Sequence, residues 1–140
     1  MLDVELVSPE QILFEGQASF VRARTIGGGE LAFLTGHAPF IGALEICAVK
    51  IIPASGAEQL IAVHGGFVEV SDDKVTILSD VAELAEDIDV ARAQRSREQA
   101  EAAVRANADD EEAQAALKRA EIRIEVATSA PATAATAARH

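Results

Sequence analysis

Between Leu2 and Leu84 apolar residues alternate with polar ones in runs only a few residues long, whereas from Asp89 onward they recur every three or four positions in an alanine-rich setting. The first pattern predicts half-buried strands and the second predicts amphipathic helix. Leu2-Val4-Leu6 alternates with Asp3 and Glu5, Ile12 and Phe14 with Leu13 and Glu15, and Phe20-Arg22-Arg24 with Val21 and Ala23. Further strands are predicted over residues 30–34, 46–52, 59–63, 67–70 and 75–78. Turn chemistry punctuates them at Ser8-Pro9-Glu10, Gly27-Gly28-Gly29, Gly36-His37-Ala38-Pro39, Pro53-Ala54-Ser55-Gly56, Gly65-Gly66 and Ser71-Asp72-Asp73. Short strands at such close spacing predict an antiparallel β-sandwich or barrel.

Asp87 and Asp89 are N-cap residue types, and the residues after them predict one helix to about Ala106. Asn107-Ala108-Asp109-Asp110 supplies a turn and a second cap, and a second helix is predicted from about Asp110 to Val126. Ala113, Leu117, Ala120 and Ile124 form its apolar stripe, facing Val90, Ala93, Ala100 and Val104 across an antiparallel hairpin. The expected class is therefore α+β: a sandwich over residues 1–86, a helical hairpin over 87–127, and a disordered Ala/Thr-rich tail over 128–140.

Composition sharpens this division. All five phenylalanines, Phe14, Phe20, Phe33, Phe40 and Phe67, precede the change of period, so the first part can build a core and the second cannot. An alanine seam removes few methylenes from water, at about 0.8 kcal/mol each, and isolated helices of this length are marginal. The hairpin must lean on another surface and is able to exchange one surface for another.

The net charge of −11 disfavours nucleic acid and anionic membrane surfaces, and it is unevenly placed. Residues 1–86 carry four basic and thirteen acidic side chains; residues 87–140 carry eight basic and ten acidic. No run of 18 apolar residues exists, and the opening Met1-Leu2-Asp3-Val4-Glu5 lacks the pattern of a signal peptide, so a cytosolic location is expected. A lone Cys47 excludes an internal disulfide and reads as a buried small hydrophobe, while His37, His64 and His140 have no metal-site spacing. No metal site and no catalytic constellation is expected, because nothing resembles a nucleophile elbow or a pair of acids beside a pocket. Gly27-Gly28-Gly29 lacks the Gly-Lys-Ser/Thr of a phosphate loop and reads as a hairpin turn.

The ordered succession Gly29-Glu30-Leu31, Gly36-His37-Ala38-Pro39, Leu44, Gly65-Gly66-Phe67-Val68-Glu69-Val70, Val75-Thr76-Ile77-Leu78-Ser79-Asp80, Ala82-Glu83 and Asp87-Ile88-Asp89 closely resembles the epsilon subunits of bacterial F-type ATP synthases over residues 2–126. The resemblance implies a non-catalytic rotor subunit of the central stalk, at the cytoplasmic face of the cell membrane and touching the membrane only through its complex. Its sandwich would bind the gamma subunit and the ring of c subunits. Its hairpin would regulate ATP hydrolysis, meeting the alpha and beta subunits when extended. Two positions depart from the family pattern: Ala32 stands where Gly usually follows the Glu-Leu pair, and Ile46-Cys47 where Pro-Gly usually precedes the next strand.

By the same resemblance Glu30 and His37 are candidate contacts to the c ring or gamma, against the alternative of a solvated acid and a turn histidine. Ile88-Asp89-Val90-Ala91-Arg92-Ala93 resembles a short motif with which some family members bind ATP. An acid at a helix start can accept from a ribose or amine, and a guanidinium suits phosphate. Arg119 and Arg123, four apart on the second helix, repel unless an anion or carboxylate sits between them, and could face Arg92 across the hairpin. With Glu83 these residues form the candidate site for ATP as a regulatory ligand, and an ATP-sensing module is the alternative function. The competing reading leaves Asp89 as a cap, Arg92 and Arg95 solvated, Glu101 paired with Arg105, and Arg123 facing acids of partner subunits.

Overall fold

The computed structural model describes residues 1–129, so the expected tail from 130 onward lies outside the described residues. Seven strands come first: β1 (Leu2–Val7), β2 (Ile12–Thr25), β3 (Gly29–Phe33), β4 (Phe40–Pro53), β5 (Gln59–Ser71), β6 (Lys74–Leu78) and β7 (Ala82–Leu84). A single 3-10 turn over Ala85–Asp87 leads into helices α1 (Val90–Ala106) and α2 (Glu111–Ser129). Thr128 and Ser129 thus close α2 instead of opening a tail, and Thr128 Oγ1 caps back onto Ile124 O at 2.6 Å.

The strands run in the order β1-β6-β5-β4-β2-β3, and β1 also pairs with β2, which closes the sheet on itself. The N-terminal half of β2 pairs β1 and its C-terminal half pairs β4 and β3, so one long strand serves both layers. Pairing is antiparallel as expected, apart from β1 with β6, which is parallel. Inside lie Leu2, Leu6, Val21, Phe33, Ile51 and Ile77, each fully buried. Phe14 and Phe40 pack at the edge of this core, while Phe67 points outward, 61% exposed.

At both positions that depart from the family pattern the predicted strands run on, and one expected turn is replaced by strand. Ile46 and Cys47 pair directly with His64 and Val63, so where a Pro-Gly would break the ladder β4 continues. Ala32 likewise sits within β3, opposite Arg22. Gly65-Gly66 is no turn either: it lies inside β5, at the point where that strand leaves β7 for β6. Gly66 has φ +133°, and a Cβ there would strike the Leu78 carbonyl, so the close approach of β6 requires glycine. The expected turn at Ser71-Asp72-Asp73 does form, with Asp72 and Asp73 both at positive φ, as a two-residue hairpin loop demands.

In the hairpin the buried residues of α1 are Ala93 and Ala100, seven apart, and α2 meets them with Ala113 and Ala120, also seven apart. The seam is alanine, as expected, but Leu117 and Ile124 are only half-buried. Instead α2 turns Ile122 and Val126 onto the outer face of the sheet, over Ala62, with Ile46, Ala48, Leu60, Ala85 and Ile88 around them. The sandwich thus carries α2, and α2 carries α1. Among the described residues no helix is long and apolar enough to cross a membrane.

Candidate functional site

Where α2 crosses the sheet, three polar groups meet. Alternation places Ala62 and His64 of β5 on the outer face, and β7 sets Glu83 directly opposite Ala62. His64 and Glu83 are therefore diagonal neighbours, and α2, seated by Ile122, delivers Arg123 above them. His64 Nε2 lies 2.8 Å from Glu83 Oε1, and Arg123 Nε donates to the same oxygen at 2.7 Å. Since a carboxylate only accepts, Nε2 carries the hydrogen.

The bond from His64 is the largest cause that holds the Glu83 carboxyl down, to about 2; burial opposes it, and the Arg123 hydrogen bond and charge reinforce it. Among the described residues this is the side-chain hydrogen bond that joins hairpin to sandwich. His64 was not singled out by its sequence, because its meaning depends on the pairing of β5 with a three-residue strand too short to predict.

Beside this junction a cleft of about 240 Å³ is lined by Glu83, Asp87, Ile88, Asp89, Arg92, Ala93, Ser96 and Arg123. The structure thus gathers five of the six candidate nucleotide residues: Glu83, Ile88, Asp89, Arg92 and Arg123. Arg119 does not join them, because its guanidinium pairs with Glu112 at 2.9 Å one face away. The repulsion expected between Arg119 and Arg123 is relieved because each arginine has its own carboxylate, Glu112 and Glu83. Asp89 also caps α1, accepting from the Arg92 amide at 3.0 Å. Glu101 pairs with Arg97 at 3.8 Å rather than with Arg105.

Glu30 and His37 are held apart by β3. Glu30 sits at its start, 3.9 Å from Arg22 and 3.6 Å from Arg24, exposed pairs of little energetic weight. His37 follows its end, packed edge-on against Phe33 at 5.0 Å, with Nδ1 donating to Ala38 O at 2.7 Å. Its loop is tied to the β5–β6 turn by Gly36 N donating to Asp73 Oδ1 at 2.7 Å. Cys47 is buried, as its type suggests, and burial pushes its thiol up.

A second feature escapes the periodicity. Ile26 N donates to Ala43 O, Ala43 pairs with Phe67, Phe67 with Leu78, Leu78 with Val7, and Val7 with Ile12. Ile12, Ile26, Phe67 and Leu78 are each more than half exposed. An apolar belt therefore crosses the sheet just beyond Gly65-Gly66, next to the half that α2 covers.

The sandwich matches the family described as ATP synthase, Delta/Epsilon chain, beta-sandwich domain over residues 1–85, and the hairpin matches the long alpha-helix domain of the same chain over residues 86–128. The chain belongs to the ATP synthase delta/epsilon family. It is 41% identical to an ATP synthase epsilon chain of Streptomyces griseus over 123 residues, covering 88% of this chain and 92% of that one. An ATP synthase epsilon chain of Halalkalibacterium halodurans is 42% identical over 130 residues, covering 90% and 96%. The fold is also that of a chain in the Euglena gracilis mitochondrial ATP synthase, OSCP/F1/c-ring, with TM-score 0.66 at 23% identity, covering 99% of this chain and 81% of that one. Family membership thus covers sandwich and hairpin alike.

Proposed function

We propose that this epsilon chain is a non-catalytic rotor subunit of the central stalk, at the cytoplasmic face of the membrane. Its sandwich transmits rotation between the c ring and the gamma subunit, and its hairpin regulates ATP hydrolysis. The observation that carries this reading is the unequal attachment of the two parts. The sandwich is a closed sheet around one core, whereas among the described residues the hairpin rests on Ile122, Val126 and one ion pair.

A surface that small can be exchanged for another, which is what a switch between a folded and an extended hairpin requires. The extended hairpin would meet the alpha and beta subunits, and its basic residues suit acidic surfaces there. The apolar belt supports gamma as the partner of the sandwich, because a rotor contact must be permanent and dry. Glu30 and His37, at the two ends of β3, are left for polar contact with gamma or the c ring. Co-expression with gamma tests the assignment: Phe67→Asp is expected to abolish co-purification while leaving the chain folded, and unchanged co-purification would move the gamma contact elsewhere.

The cleft favours a second role for the same chain, the binding of ATP as a ligand that holds the hairpin folded. Asp89 at the start of α1, Arg92 one turn on and Arg123 on α2 converge there, so a ligand touching all three ties both helices to Glu83 of the sandwich. Arg92→Ala removes a charge-assisted phosphate contact and is expected to weaken ATP by roughly one to two orders of magnitude in calorimetric titration. Equal affinity in both proteins would leave Arg92 a solvated surface residue.

A further inference from the structure

The α2 arginine that lines the cleft is already engaged. Arg123 and His64 donate to one and the same oxygen of Glu83, and the charged lining is net negative, Glu83, Asp87 and Asp89 against Arg92 and Arg123. At about 240 Å³ the cleft also falls below the roughly 300–1,000 Å³ of typical small-molecule pockets. A triphosphate is accommodated only if Arg123 turns from the carboxylate to the ligand. That movement deprives a half-buried carboxylate of its cation, which is costly unless another donor stays behind.

His64 is placed to be that donor. Its side chain is 3% exposed, and its backbone is locked into the sheet by His64 N donating to Val81 O at 3.0 Å. Among the described residues its buried Nδ1 has no partner, so the bond to Glu83 is the ring's side-chain tether. The ring contributes nothing to the cleft lining; it reaches the site only through Glu83.

We propose that His64 is a positioning residue of the nucleotide cleft: it keeps Glu83 hydrogen-bonded when Arg123 leaves for a phosphate, which makes Glu83 a displaceable counter-ion. The proposal deepens the nucleotide reading above and rests on it. Glu83 then holds the hairpin closed when the cleft is empty, and releases its arginine when ATP takes over that task. Without His64 the carboxylate keeps Arg123 as its one hydrogen-bond donor among the described residues and retains it against the ligand.

Calorimetric titration of ATP into the full chain and its variants tests this. His64→Leu, which removes the donor, is expected to weaken binding about tenfold. His64→Gln, which restores an N–H donor on a side chain of similar reach, recovers wild-type affinity to within about threefold. In a Glu83→Ala background His64→Leu changes affinity by less than about twofold, because the group through which it acts is gone. Thermal unfolding of each variant shows that the sandwich persists.

Wild-type affinity in His64→Leu, failure of His64→Gln to recover, or an equal loss in the Glu83→Ala background would each overturn the role of His64 while the nucleotide reading stands. No heat from the wild-type chain at millimolar ATP would remove the nucleotide reading and this proposal together.

Discussion

Glu83 is the residue through which the hairpin is hydrogen-bonded to the sandwich. Its carboxyl is lowered from 4.5 to about 2 in the docked state, chiefly by His64. A lowered carboxylate contributes stability above its ordinary range, and that contribution disappears as pH falls through the docked-state value. The His64 bond lies within the sandwich, so only the Arg123 share of that lowering belongs to docking; hairpin docking is expected to weaken modestly as pH falls from about 4.5 toward about 2, read as faster amide exchange in α2 than in β4 and β5. Glu83→Gln should exchange faster at neutral pH and lose that pH dependence. Of these residues, Asp89 was legible as a cap from its type and place before a helical period, and Arg92 and Arg123 as cations near it. His64 was not, since a lone histidine in an alternating run carries no sign of what lies across the sheet. Arg119 was placed in the set by its spacing from Arg123, but Glu112, seven residues back on the same helix, takes it instead.

At the scale of elements, what the sequence showed depended on how local the cause was. Strand alternation, the Asp72-Asp73 loop and the alanine seam follow from neighbouring residues and were legible. Continuity of β5 through Gly65-Gly66 was not, because glycines that allow β6 to approach look the same as glycines that make a turn. Gly66→Ala is expected to destabilise the sandwich by roughly 2–4 kcal/mol, seen as a lower melting temperature, since the Leu78 carbonyl and β6 must shift. The orientation of α2 was half legible: its seam lies where alanine period puts it, but the choice of Ile122 and Val126 over Ile124 was made by the sheet beneath. Circular dichroism of fragments separates the two parts. Residues 1–86 are expected to fold alone, and residues 87–129 to be largely unfolded at room temperature, because an alanine seam without Ala62 and Ile46 beneath it buries too little. A stably helical isolated hairpin would contradict that reasoning.

The whole molecule is a closed sheet that carries a helical hairpin on part of its outer face. Half of that face, around Ala62, is covered by α2, and the other half, around Phe67, is bare and apolar. On the function proposed above, the bare half would take a fixed partner and the covered half a releasable helix, which would put coupling and regulation in different parts of one chain. The measurement that tests this most directly is made on the assembled ATP synthase with residues 87–140 removed, comparing ATP hydrolysis with ATP-driven proton pumping. Hydrolysis is expected to rise while the number of protons pumped per ATP stays unchanged; loss of pumping on removal of the hairpin would place the rotor contact in the hairpin and contradict the division proposed here.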